Sequence, residues 1–190
     1  MADKIDLRIV KTYDKLMHAL CEMMHEMPFD SITVFDLCEK ADIRRATFYK
    51  HFEDKYAFLS FVISRTLSDL AETVMKEKKH FTTSEYLTLY IQRIIEYFES
   101  KPQMLKNILS QGCFSIIMES ISTNSLKELI GNLTIVRSIT ASDLPRDTRM
   151  TANFINGGLA TLVVAHISNP VKTKEEFLDD IKMILDKITA

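Results

Sequence analysis

Residues 33–52 read TVFDLCEKADIRRATFYKHF, and they decide the fold. Val34, Leu37, Cys38 and Ala41 fall on one side of a short helix. Thr33 precedes that helix with a hydroxyl suited to capping free backbone N–H groups. Asp36, three residues on, completes a capping-box-like pair with Asp in place of the usual Glu. Ala41-Asp42-Ile43 reads as a tight turn, and a second periodic segment, Arg44 to Lys50, follows at once. Two short helices joined by a three-residue turn are the helix-turn-helix arrangement. The second helix presents a polar, basic side: Arg44, Arg45, Thr47, Tyr49, Lys50 and His51, with no acid among them. Across Lys40 to Lys55 five basic residues face three acidic ones. The excess is modest, but it sits on the element that would enter a major groove.

Outward from this stretch the chain is helical. Val10, Tyr13, Met17, Leu20 and Met24 form one stripe over residues 6–27, and Pro28 ends that helix. Glu53 or Asp54 caps a fourth helix running as far as Lys79, with Leu59, Ile63, Leu67, Leu70 and Val74 as its apolar face. A polar break at 80–84 offers Thr82, Thr83 and Ser84 as caps. Helical runs follow over Glu85–Glu99, from Pro102 to about Ser110, and between Cys113 and Thr140. Ser142-Asp143-Leu144-Pro145 marks another start, and that helix ends by Asn169-Pro170. The last helix starts near Thr173, with Glu176 completing a capping box. Gly and Pro number only four each among 190 residues, too few for a sandwich, a barrel or a turn-rich α/β fold. The expected class is all-α, with about nine helices.

Bulk charge gives no support to a nucleic-acid binder: the formal net charge is −2, so the case for DNA rests on local placement. Cys21, Cys38 and Cys113 are odd in number and widely spaced, which suits reduced thiols in the cytoplasm. The N-terminus has no apolar core of a signal peptide. The most apolar stretch, Phe154 to Ile167, reads as too short to span a bilayer, so no membrane partner is expected. His18, Cys21 and His25 share one side of the first helix at metal-ligand spacing. They lie off its main stripe with no fourth ligand, so they read as surface histidines and a core-edge thiol. From about Tyr56 onward there is no phosphate loop, nucleophile elbow or paired ligand motif. Neither an enzyme nor a cofactor or metal is expected.

The segment ITVFDLCEKADIRRATFYKHFEDKYAFL resembles the N-terminal signature of the TetR family of bacterial transcription regulators. Thr33, Ala41, Thr47, Phe48, Tyr49, His51, Phe52, Asp54 and Lys55 fall in register, and the likeness spans about residues 7–62. The stretch FINGGLATLVVAHISNP…KTKEEFLDDI also looks like the last two helices of a subset of that family. Three positions depart from the pattern. The family's turn Gly is Asp42, its usual Ser cap on the recognition helix is Arg44, and its late Trp is His166. Asp tolerates a left-handed backbone, so the turn should survive. Loss of the Ser cap costs ~1 kcal/mol and adds a cation that can reach DNA.

By chemistry, Thr33 and the N–H groups behind it would face a phosphate. Arg44 and Arg45 are the candidates for bidentate contacts to guanine. Thr47 suits a thymine methyl or a phosphate. Tyr49, Lys50, His51 and Lys55 suit phosphate contacts, which fix register and read no sequence. Phe48 and Phe52 read as core. The resemblance implies a DNA-binding domain over 1–55 and an effector-binding, dimerising domain over 56–190. It also implies a ligand cavity between Tyr86 and Phe154, where Tyr90, Arg93, Tyr97, Asn107, Gln111, Cys113, Met118 and Asn153 are candidate lining residues. In the family the last two helices pair with their copies. Phe154, Gly157, Gly158, Leu162, Phe177, Ile181, Ile184 and Leu185 are then interface candidates, although some must serve the core instead. The expected function is a cytoplasmic, nucleoid-associated homodimeric regulator, a repressor in the family's common mode. It would bind a palindromic operator and answer to a small-molecule or protein effector. The competing reading is a helical co-regulator working mainly through a partner protein.

Overall fold

A computed structural model describes residues 7–77, 80–108, 113, 116, 118–120 and 148–189. Every regular element among the described residues is helical. In chain order they are α1 (Leu7–Glu26), a 3-10 turn (Phe29–Ser31), α2 (Val34–Lys40), α3 (Arg45–Tyr49), α4 (Lys55–Glu77), α5 (Thr83–Glu99), α6 (Pro102–Ile108), α7 (Thr148–Ser168) and α8 (Lys174–Thr189). The helix start expected at Ser142–Pro145 and most of the run expected between Cys113 and Thr140 lie outside the described residues.

By packing the chain forms two compact units. The first is Met1–Val62 with Lys101–Ile116, and the second is Ile63–Ser100 with Ile117–Ala190. The boundary therefore falls inside α4, several residues beyond the division expected at 55/56, and α6 belongs with the first unit.

The first unit is built around aromatic rings. Phe48, Phe52, Phe58 and Phe61 pack edge-on or tilted at centroid separations of 4.9–5.7 Å along the chain of neighbours Phe48–Phe58–Phe52–Phe61. Tyr13 of α1 joins at 4.8 Å from Phe61. Such pairs add ~0.5–1.5 kcal/mol each beyond their buried area. Leu16, Leu20 and Met24 of α1 are buried with Phe29, Ile32 and Leu37; of the stripe that spacing indicated, Leu20 and Met24 are buried and Val10, Tyr13 and Met17 are half-buried. At the end of α1 the Asn107 side chain donates to the Met24 carbonyl at 2.8 Å. That bond satisfies one of the carbonyls a helix C-terminus leaves without a partner. At the start of α4, Asp54 Oδ1 accepts from the backbone N–H groups of Tyr56 and Ala57 at 2.8 and 2.7 Å.

The second unit packs α5 against α7 and α8. Its core joins Leu67, Ala71 and Val74 of α4 to Tyr86, Tyr90, Ile91 and Ile95 of α5, and to Ile155, Val163, Phe177, Ile181 and Leu185. Capping boxes open two of its helices. Thr82 and Glu85 exchange bonds at the start of α5, and Thr173 and Glu176 do so at α8. Of the three hydroxyl residues that sequence offered as caps for α5, Thr82 takes the role, and Thr83 and Ser84 are buried in the first turn. The stretch judged too short for a bilayer is part of a longer helix. Met150–Ser168 is long and apolar enough to cross a membrane by length and composition, yet its Ala152, Ile155 and Val163 are buried in this unit's core. The ring of His166 stacks on Phe177 at 4.1 Å, so α7 and α8 meet where the resemblance led to expect a Trp.

Candidate nucleic-acid interface

The helix-turn-helix geometry follows from three local solutions. First, Thr33 Oγ1 accepts from the Asp36 N–H at 3.1 Å, while Asp36 Oδ2 accepts from the Thr33 N–H at 3.3 Å and from its hydroxyl at 2.5 Å. The Asp variant of the capping box therefore works. It also places a carboxylate at the helix N-terminus, where a phosphate would otherwise sit. Second, α2 stops through a Schellman arrangement. Ile43 N–H donates to the Cys38 carbonyl at 2.9 Å and Asp42 N–H to that of Glu39 at 3.1 Å. Asp42 takes φ 53°, the left-handed conformation, where Gly is usual. Third, α3 begins at Arg44 with an extended backbone and no side-chain cap. The fully buried Phe48 ring holds this short helix down.

What α3 then leaves outside is basic. Arg44, Arg45, Tyr49 and Lys50 are exposed, and Thr47 and His51 are half-buried. The cations elsewhere on this unit's helices are often neutralised. Lys15 pairs with Asp42 at 3.5 Å, and Lys40 with Glu22 at 3.3 Å. Arg44, Arg45 and Lys50 make no ion pair among the described residues, so α3 carries its positive charge uncompensated. The Arg45 guanidinium lies over the ring of Phe35, 5.6 Å from its centroid. His51 is anchored to α1, with Tyr13 Oη 3.3 Å from its Nδ1 and the two rings edge to face at 5.4 Å.

Lys55 has a different geometry from the one its phosphate role requires. Its ammonium donates to three backbone carbonyls, Phe29 at 3.2 Å, Asp30 at 2.9 Å and Ile32 at 2.9 Å. It also lies over the Phe29 and Tyr56 rings. An ammonium has three donors, and all three are used. Lys55 clips the 3-10 turn to the start of α4 and has nothing left for a phosphate.

Residues 16–60 match the family model for bacterial regulatory proteins of the tetR family. The matched stretch includes α2, the Asp42 turn and α3. An HTH-type transcriptional regulator of Bacillus subtilis (strain 168), YxbF, is 32% identical over 85 residues, 43% of this chain and 22% of that protein. The matched part thus spans about a fifth of that relative's length. Solved TetR-like structures share the fold across nearly the whole chain. Thermus thermophilus FadR, a TetR-family repressor in complex with lauroyl-CoA, has a TM-score of 0.68 at 14% identity, covering 94% of this chain and 95% of its own. Bacillus subtilis FadR in complex with stearoyl-CoA has a TM-score of 0.64 at 18% identity, covering 94% and 98%.

The residues that the TetR resemblance offered for an effector cavity divide between the two units. Asn107 and Cys113 belong to the first unit, where Asn107 holds the end of α1 and Cys113 is fully buried. Burial pushes the Cys113 thiol up to about 11. In the second unit Tyr90 is core, its hydroxyl donating to the Leu67 carbonyl at 3.3 Å. Tyr97 and Met118 are half-buried, and Asn153 is exposed. Arg93 is consumed by Glu77 and Glu96, with three hydrogen bonds at 2.6–3.0 Å. Gln111 lies outside the described residues.

The interface candidates divide as well. Phe177, Ile181 and Leu185 are core of their own unit. Phe154 is 73% exposed, and Leu162 and Ile184 are exposed too. Among the described residues a Cβ at Gly157 or Gly158 would meet nothing within 4 Å, so no close backbone approach there explains the pair. The candidate metal group also disperses: His18 is exposed beside Glu22 at 3.7 Å, His25 is exposed, and Cys21 is half-buried. No cluster of three possible ligands among the described residues could hold a metal ion. Sequence reading missed Phe35. It lies off the apolar side of α2, and a large ring at such a position was the available signal.

Proposed function

We propose that this protein is a TetR-type transcriptional regulator that reads duplex DNA through α3 as a homodimer and changes affinity when an effector binds its C-terminal region. The observation that carries the reading is the uncompensated set Arg44, Arg45 and Lys50, on a short helix fixed by Phe48 beneath and the Asp42 turn beside it. Arg44 and Arg45 have free guanidinium forks for base edges, and Lys50, Tyr49 and Thr47 suit the flanking phosphates and sugar. His51 presents its Nε2 side, since Nδ1 is taken by Tyr13. Thr33, whose N–H and hydroxyl both donate to Asp36, serves as the cap of α2.

The exposed row Met150, Phe154, Gly158, Leu162 and Ala165 on α7, with Ile184 on α8, supports pairing with a second copy. Its steps of four, four, four and three make one continuous helical face. Two-fold pairing calls for a palindromic operator with half-sites about one helical turn or somewhat more apart. α4 runs unbroken through the boundary between the units. An effector that prefers one arrangement would act through it, in a bacterial cytoplasm and in the repressor sense.

Selection of bound sequences from random duplex DNA, with the mass of the complex measured by light scattering, tests this reading. A palindromic motif bound by two chains is expected. A single chain with no enriched motif would overturn it.

A further inference from the structure

Phe35 has no role in the core. It lies in the first turn of α2 and is 55% exposed, while Leu37 and Cys38 of the same helix are buried. The guanidinium of Arg45, the first residue of α3, is set against its face, 5.6 Å from the ring centroid. Cys38, three residues along α2, feels the same cation: burial raises its thiol and the nearby Arg45 charge pulls it back down. No carboxylate among the described residues pairs with Arg45. A carboxylate there would neutralise the charge and occupy the fork. A ring attracts the cation through its face and leaves the in-plane N–H donors open.

We propose that Phe35 is a positioning residue that holds the Arg45 guanidinium ready for one base pair, so that Phe35 sets sequence preference without touching that base. The proposal rests on the DNA-binding reading above. A side chain already held in place loses less freedom when it binds, so the ring favours the correct contact over wrong ones. A cation–ring pair at an exposed site is worth about two- to fivefold in equilibrium.

Phe35→Leu keeps an apolar side chain of similar size at an exposed site and removes the ring face. Phe35→Tyr keeps the ring. In duplex-selection and competition assays, Phe35→Leu should lower discrimination about two- to fivefold at the same half-site position that Arg45→Ala affects. Phe35→Tyr should restore it, and Phe35→Leu should add nothing in an Arg45→Ala background. The dependence of affinity on salt should keep its slope, because no phosphate contact is lost. In the DNA-free protein the Arg45 side-chain protons should show a ring-current shift by NMR that Phe35→Leu abolishes.

Loss of preference at a different base pair would mean Phe35 touches DNA itself and would overturn the positioning role. So would an unshifted Arg45 in the free protein, or a Phe35→Tyr variant as impaired as Phe35→Leu. A wild-type chain that shows the ring-current shift but retains no duplex would sink the DNA reading, and the specificity role with it, while leaving the stack itself standing.

Discussion

In the C-terminal unit Arg93 donates to Glu77 through Nε and Nη2 at 2.9 and 3.0 Å, and to Glu96 through Nη1 at 2.6 Å. In the N-terminal unit Arg45 meets a phenyl ring and open solvent. The same guanidinium is closed in one region and left open in the other. The helices follow the same contrast. α5 and α8 begin in complete capping boxes, whereas α3 begins at an uncapped Arg44. Polar groups that hold the fold are paired with protein partners, whereas Arg44, Arg45 and Lys50 make no ion pair among the described residues. Lys55 shows that the contrast is one of geometry and not of residue type, since it sits near α3 yet spends all its donors on the fold.

The platform beneath the open helix should be the most sensitive point. Phe48 is fully buried and packs on Phe52 and Phe58 at 5.5 and 5.7 Å. Phe48→Ala should cost ~3–5 kcal/mol in chemical denaturation, enough to lose the ordered N-terminal unit. A loss under 1 kcal/mol would show that α3 is held some other way. Next comes Lys55→Met, which removes one charged donor from three carbonyls and should cost ~1.5–3 kcal/mol. The salt slope of duplex binding should stay unchanged. A slope reduced by about one would return Lys55 to the phosphate contacts.

Arg44→Ser tests the uncapped start directly. It should raise stability by ~1 kcal/mol while weakening duplex binding, and a variant improved in both would remove the reason for an Arg at that position. Asp42→Gly should stabilise by ~0.5–1 kcal/mol, because Gly takes the left-handed conformation without the Cβ penalty and the exposed Lys15 pair contributes little. The closed cluster makes a final, smaller test. The hydrogen bond from Arg93 holds the Glu77 carboxyl below its usual value. At Glu96, burial raises the carboxyl, but bonds from Gln92 and Arg93 outweigh it and the net shift is downward. Carboxyls lowered in the fold contribute stability that is full above their unfolded values and is lost as pH falls through the folded ones. Acid titration of the wild type should show this loss below the ordinary carboxylate range, and Glu77→Gln should show less of it.

The N-terminal unit was largely legible because its structure is local. The Thr33–Asp36 cap, the left-handed Asp42 and the uncapped Arg44 are all decided by residues within a few positions of one another. Partners distant in sequence were not legible. Nothing near Lys55 indicates that three carbonyls more than 20 residues upstream await its ammonium. Nothing near Arg93 points to Glu77, and Asn107 gives no sign of the end of α1, 83 residues earlier. A polar residue in an apolar run was therefore read as available for a ligand when the fold had already used it. The same limit applied to α8, where periodicity marks Phe177, Ile181, Ile184, Leu185 and Ile188 as one apolar stripe. Only packing separates the buried three from the exposed Ile184.

The claim on which the account depends is that α3 keeps its cations for phosphates and bases. Affinity for a selected duplex, measured against salt concentration, tests it most directly. A dimer neutralising ~6–10 phosphates should lose ~10³–10⁵ in affinity between 50 and 200 mM salt. An affinity unchanged over that range, or no binding at low salt, would contradict it.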